Sequence, residues 1–119
     1  MKTILVVEDD FNIAKLQKII LEDFYNVEIV NDGSLAFKII KECMPDLVLL
    51  DLMLPGVNGL QICSAVKKDA ALKNVKVVMV TAKTDLTDEE RGLGLGADDY
   101  ICKPFEPEEL LHVVKQQIG

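Results

Sequence analysis

Four short apolar runs, rich in β-branched residues, each stop at a polar side chain suited to metal or phosphate chemistry. Ile4 to Val7 leads into Glu8-Asp9-Asp10, Leu47 to Leu50 into Asp51, Val75 to Val80 into Thr81, and Tyr100 to Cys102 into Lys103. If the runs are parallel strands of one sheet, all of these residues arrive at one rim. Open α/β sheets bind ligands just beyond the carboxyl ends of their strands.

Between the runs the apolar period changes from strand-like to helical. Ile13, Leu16, Ile20 and Phe24 recur at helical spacing, as do Leu35, Ile39 with Ile40 and Cys43, then Ile62 with Val66, and finally Leu110, Val114 and Ile118. Strands are expected at Thr3 to Val7, Val27 to Val30, Leu47 to Leu50, Val75 to Val80 and Asp99 to Cys102. Five strands alternating with helices predict an α/β protein, a (βα)5 doubly wound parallel sheet with helices on both faces. Pro107 suits the first turn of the last helix, where its missing N–H is not needed, and Gly119 suits its end. No linker or repeat interrupts the chain, so a single domain over residues 1–119 is expected. One segment departs from the pattern: after Glu89 and Glu90, the glycines Gly92, Gly94 and Gly96 alternate with Leu93 and Leu95. Each interior glycine costs about 1 kcal/mol relative to alanine, which predicts a short, weakly held fourth helix that frays near Gly94.

A chain of 119 residues can bury a core without metals or disulfides. Its net charge of −7 argues against an extended surface for DNA or RNA. Cys43, Cys63 and Cys102 are odd in number and far apart, so no disulfide framework or zinc site is expected, and reduced, mostly buried thiols are. The apolar runs are too short to span a membrane, and Met1-Lys2-Thr3 leads too soon into acidic sequence for a signal peptide, which predicts a cytoplasmic protein.

Several carboxylates on one rim repel one another. For Glu8, Asp9 and Asp51 the relief expected is a hard divalent cation with oxygen ligands, Mg²⁺ above all. Asp51 has the setting of a nucleophile, because a carboxylate oxygen can attack phosphorus and Lys103 together with Mg²⁺ would meet the charge that develops. Thr81 offers a hydroxyl to a phosphoryl oxygen, and backbone N–H groups after Asp51 and Thr81 offer more donors. Asp10, one residue further on and followed by Phe11-Asn12, is as well placed to cap the first helix as to bind metal.

Val6-Val7-Glu8-Asp9-Asp10, Asp46 through Gly56 with Asn58-Gly59, Val80-Thr81-Ala82, and Gly96-Ala97-Asp98-Asp99-Tyr100 with Lys103-Pro104-Phe105 together carry a resemblance. Along essentially its full length the chain resembles the receiver domain of two-component response regulators. The resemblance implies the strand order 2-1-3-4-5. It implies a Mg²⁺ site of Glu8 (largely through water), Asp9, Asp51 and the Met53 carbonyl, with Asp51 as phosphoacceptor assisted by Thr81 and Lys103. The donor would be a phosphohistidine on a sensor histidine kinase or a histidine phosphotransfer protein, and the aspartyl phosphate would later hydrolyse. A phosphoryl group adds about two negative charges and new acceptor oxygens, which would draw Thr81 toward it. In the family an aromatic residue on the fifth strand then turns inward; Tyr100 holds that position, and the output surface would be the fourth helix, fifth strand and fifth helix. The resemblance further implies a cis Lys103–Pro104 peptide, a kinase-facing first helix with Asn12, Ala14, Lys15 and Lys18 on its exposed side, and dimerisation through the output surface on phosphorylation, although Val113 and Val114 stand where a basic residue would help such pairing. Met53 and Lys83 flank the expected path of water, and an aspartyl phosphate lasting minutes or more is the expectation.

Rival functions fare less well. A phosphohydrolase built on Asp51 would place a second Asp two residues on as general acid, where Met53 stands. A nucleotide-binding module would need a glycine-rich loop after the first strand, and Glu8-Asp9-Asp10-Phe11 repels phosphates. The remaining alternative is a receiver-like module that docks partners without being phosphorylated.

Overall fold

The computed structural model describes residues 1–82, 94 and 96–119. The expected weak helix through Glu89 and Gly92, and Lys83, lie outside the described residues. Five parallel strands form the main sheet: β1 (Thr3–Val7), β2 (Asn26–Val30), β3 (Leu47–Asp51), β4 (Lys76–Ala82) and β5 (Asp99–Lys103). Their order is β2-β1-β3-β4-β5, as the resemblance implied. Helices α1 (Phe11–Leu21), α2 (Ala36–Cys43) and α3 (Gly59–Lys68), with a C-terminal helix at Pro107–Ile118, cover the sheet.

The alternation of side chains along each strand divides the core in two. Leu5, Val7, Val48, Leu50, Val77 and Met79 pack with Ala36 and Ile40 of α2 and with Ile62, Cys63 and Val66 of α3. Their neighbours Ile4, Val6, Leu47, Leu49, Val78 and Val80 pack with Ala14 and Leu21 of α1 and with Leu110, Val114 and Ile118 of the C-terminal helix. The sheet is thus buried on both faces, which is why its central strands read as continuous apolar runs.

Strand ends differ from expectation for identifiable reasons. The N–H of Val75 is taken by the Leu72 carbonyl at the close of a 3-10 turn (Ala70–Leu72), so β4 starts at Lys76. At its far end β4 continues through Thr81 and Ala82 because they pair with Cys102 and Lys103 of β5. Asp51 belongs to β3 through its pairing with Val80.

In α1 the expected stripe holds only in part: Ile13 is partly buried and Ile20 packs against the core, but Leu16 and Phe24 do not. The helix ends at Leu21, its buried residues are Ala14, Gln17 and Leu21, and Leu16 and Phe24 are exposed. A glutamine at the middle of the inward face hid the true stripe from a hydrophobicity reading. Ala14, expected on the exposed side, is fully buried, whereas Asn12 and Lys15 are exposed and Lys18 is partly so. The second helix also turns its ends outward: Leu35 is exposed and the buried residues are Ala36 and Ile40. Of the thiols only Cys63 is buried; Cys43 is exposed and Cys102 is intermediate.

Three local devices complete the frame. Met53–Leu54 and Val57–Asn58 form a two-stranded antiparallel ribbon after β3, turned by Pro55 and by Gly56 at φ +68°, a conformation suited to glycine. The C-terminal helix begins with Pro107 behind a capping box between Glu106 and Glu109. At the amino edge of the sheet, Lys2 Nζ donates to the Ile118 carbonyl, and Asn26 Nδ2 donates to the Met1 carbonyl at 3.3 Å.

Candidate functional site

The strand register places the polar residues in steps along one rim. Val7 pairs with Leu50, so Glu8 leaves β1 at the level of Asp51; Thr81 lies one step beyond Asp51 on β4, and Lys103 one step beyond that on β5. One carboxylate oxygen from each of Glu8, Asp9 and Asp51 can be chosen so that all lie within 4.8 Å of one another. Glu8 and Asp51 are almost wholly buried while Asp9 is exposed, which leaves the cluster open on one side.

Lys103 reaches in from β5. Its Nζ stands 2.8 Å from Glu8 Oε1 and 3.2 Å from Asp51 Oδ2, the second as a hydrogen bond that the ammonium donates. The other Asp51 oxygen, Oδ1, accepts from the Met53 N–H at 3.0 Å. Glu8 Oε2 accepts from the Asp10 N–H at 3.3 Å. Asp10 itself caps α1: its Oδ1 accepts from the N–H groups of Asn12 and Ile13 at 2.9 and 3.1 Å. Of its two possible roles, capping is the one the geometry shows.

Crowding of like charges governs the electrostatics. Burial, and then proximity to Asp51, push the Glu8 carboxyl up to about 7, with Lys103 opposing. Burial alone would lower the Lys103 ammonium, but Glu8 and Asp51 outweigh it and hold it above its ordinary value. Despite the ion contact, Glu8 Oε1 has no hydrogen-bond partner and is shielded from solvent. One cation therefore leaves three clustered carboxylates undercompensated, and this all-oxygen donor set, with Glu8 Oε1 buried and ion-paired but not hydrogen-bonded, fits a hard divalent cation.

Not every expected site residue joins this cluster. Thr81 is buried at the rim, but its hydroxyl donates to the Ala82 carbonyl at 3.4 Å. Tyr100 is 38% exposed on β5, the edge strand beside β4. Met53 contributes its backbone N–H, and its side chain is exposed. The Lys103–Pro104 peptide is cis. Gly59 had no expected role of its own, yet a Cβ placed there would sit 2.7 Å from the Asp51 carbonyl oxygen. In the sequence it stood out only as part of the Asn58-Gly59 pair that helped carry the resemblance, directly after the helix-capping Asn58.

A doubly wound sheet whose carboxyl rim gathers an acidic cluster and a lysine defines a domain of the flavodoxin-like class, with its candidate site at the strand ends where such sheets bind ligands. Over residues 4–115 the chain matches the family described as the response regulator receiver domain, and it belongs to that family. It is 46% identical over 116 residues to the DNA-binding response regulator MtrA of Mycobacterium tuberculosis, a match covering 97% of this chain and 50% of MtrA. The chain thus spans about half the length of that relative. Among solved structures, it superposes on a CheY-like receiver domain protein of Methanospirillum hungatei with a TM-score of 0.89 at 34% identity, covering 98% of this chain and 92% of that one. The chemotaxis protein CheY4 of Vibrio cholerae gives a TM-score of 0.90 at 28% identity, with 99% of each chain covered. The chain is a two-component receiver. No helix among the described residues is long and apolar enough to cross a membrane.

Proposed function

We propose that residues 1–119 act as one receiver domain in which Asp51 accepts a phosphoryl group from the phosphohistidine of a sensor histidine kinase or histidine phosphotransfer protein. The observation that carries the reading is the position of Asp51: one oxygen bonded to Lys103 at 3.2 Å, and the carboxylate grouped with Glu8 and Asp9. In the transfer a carboxylate oxygen of Asp51 forms the new O–P bond as the N–P bond to the donor imidazole breaks, and the electron pair returns to the ring nitrogen. Lys103, already paired with Glu8 and Asp51, stays beside the phosphoryl oxygens as charge spreads over them. Glu8, Asp9, Asp51 and the Met53 carbonyl would hold Mg²⁺, which supplies further positive charge to those oxygens when bound.

The rest of the reading follows from the same rim. The Thr81 hydroxyl, with only a long bond to Ala82, is free to exchange it for a phosphoryl oxygen, and the space it leaves beside β4 admits Tyr100 from β5. Hydrolysis of the aspartyl phosphate resets the domain. The switched surface includes β5 and the C-terminal helix, through which a phosphorylated pair would associate. In a longer protein like its relative, this segment would regulate DNA binding carried elsewhere; with a net charge of −7 it makes no direct nucleic-acid contact. The setting is the cytoplasm.

The test is intact mass after incubation with acetyl phosphate and Mg²⁺. The expected result is a gain of one phosphoryl group, absent in Asp51→Asn and absent when the metal is chelated. A gain that survives Asp51→Asn would overturn the assignment of the acceptor. No gain with acetyl phosphate or with a phosphorylated kinase would leave the phosphorylation-independent docking module.

A further inference from the structure

Resting on the phosphoacceptor reading above, we propose that Gly59 is a positioning residue for Asp51: its missing side chain lets α3 start against the exit of β3 and thereby sets the ribbon that carries Met53.

The steric fact is severe. A Cβ at Gly59 would lie 2.7 Å from the Asp51 carbonyl oxygen and 3.0 Å from Leu52 Cα, both backbone atoms. Something must therefore move, and the surroundings decide what. Strand β3 is held on both sides, by β1 and by β4, and the Leu52 N–H is bonded to the Val80 carbonyl at 3.1 Å. Helix α3 is anchored by its Asn58 cap, which accepts from the Leu60 N–H at 2.9 Å, and by burial of Leu60, Ile62, Cys63 and Val66. The softest link between these two fixed bodies is the 53–58 ribbon, two residues per strand with an exposed turn at Pro55-Gly56.

That ribbon is tied to the acceptor at one point, the Met53 N–H donated to Asp51 Oδ1. A displaced ribbon carries Met53 away from Asp51, loosening one oxygen of the acceptor and moving the backbone group proposed as a metal ligand. Gly33 provides an internal comparison. A Cβ there would meet Leu54 Cδ1 at 3.1 Å and the Cβ atoms of Leu54 and Val57 at 3.3 Å, on the ribbon itself, contacts that a shift of a few tenths of an ångström relieves. Gly33 bears on the ribbon through side-chain atoms, whereas Gly59 bears on backbone atoms of Asp51 and Leu52, at the ribbon's root and beside the acceptor.

The experiment compares Gly59→Ala with Gly33→Ala by thermal melting, by calorimetric Mg²⁺ titration of the unphosphorylated protein, and by the amide NMR signal of Met53. Both variants are expected to lose stability. Gly59→Ala alone should bind Mg²⁺ about tenfold or more weakly, the scale seen when groups that orient metal ligands are altered, and should shift the Met53 amide. Normal Mg²⁺ affinity with an unmoved Met53 signal in a destabilised Gly59→Ala would overturn the proposal and leave a purely structural glycine. If Gly59→Ala does not fold, Gly56→Ala decides the matter. Its substitution strains the ribbon's exposed turn, where a Cβ meets nothing within 4 Å, and unchanged Mg²⁺ affinity there would overturn the inference equally. A wild-type protein that binds Mg²⁺ yet takes no phosphoryl group would instead count against the acceptor reading, and the affinity comparison would still stand.

Discussion

Glu8 is the side chain whose state depends most on its surroundings. Its folded value of about 7 lies above the ordinary 4.5, so between those values the folded protein holds a proton that the unfolded chain has released. The unfolded state binds fewer protons there, and stability falls as pH rises from about 4.5 to about 7, then levels off. Urea titrations across that range should show the decline without metal and should lose it in Glu8→Gln. Cation binding selects the ionised carboxylate, so Mg²⁺ affinity should weaken as pH drops below about 7. Gln17 is a second residue out of keeping with its place: it is almost fully buried on α1, and its Oε1 has no partner. Leucine fills similar space without a stranded acceptor, so Gln17→Leu should stabilise the fold by about 1 kcal/mol, read as a rise in the thermal midpoint.

At the level of single elements, the start of α1 separates two roles that the acidic run had merged. Asp10 accepts from the second and third N–H groups of the helix, as a cap does. Asp10→Ala should cost about 1 kcal/mol in chemical denaturation and leave Mg²⁺ affinity within about twofold, whereas Asp9→Ala should do the reverse. Strand positions were legible because buried parallel strands are continuous apolar runs with little to mislead. The inward face of α1 was not, because it centres on Gln17 and leaves Leu16 exposed. The ribbon was equally hidden: with two residues a side it has no period, and its Pro55-Gly56 turn reads as an ordinary loop.

For the molecule as a whole, the site exists because register brings separate segments together. Glu8, Asp51 and Lys103 are distant in sequence, yet the lysine ammonium stands within 3.2 Å of both carboxylates. Their residue types and strand-end positions could be read from the sequence; the hydroxyl of Thr81 turned to Ala82, and Lys103 shared between two carboxylates, are tertiary facts. Concentrating like charge in the middle of the rim makes metal and folding interdependent. Mg²⁺ at a hundred times its dissociation constant should add about 2.7 kcal/mol to unfolding free energy. Calorimetric melts with and without chelator should show this increment, and Asp51→Asn should remove most of it. The pairing of Lys2 with the Ile118 carbonyl has a different kind of consequence. First and last segments of the chain meet at the edge of the sheet opposite the rim, so the backbone nearly closes into a ring. Joined there by a short bridge and reopened at an exposed turn such as Lys73-Asn74, the same residues in a circularly permuted order would keep every strand neighbour and the whole constellation of the rim.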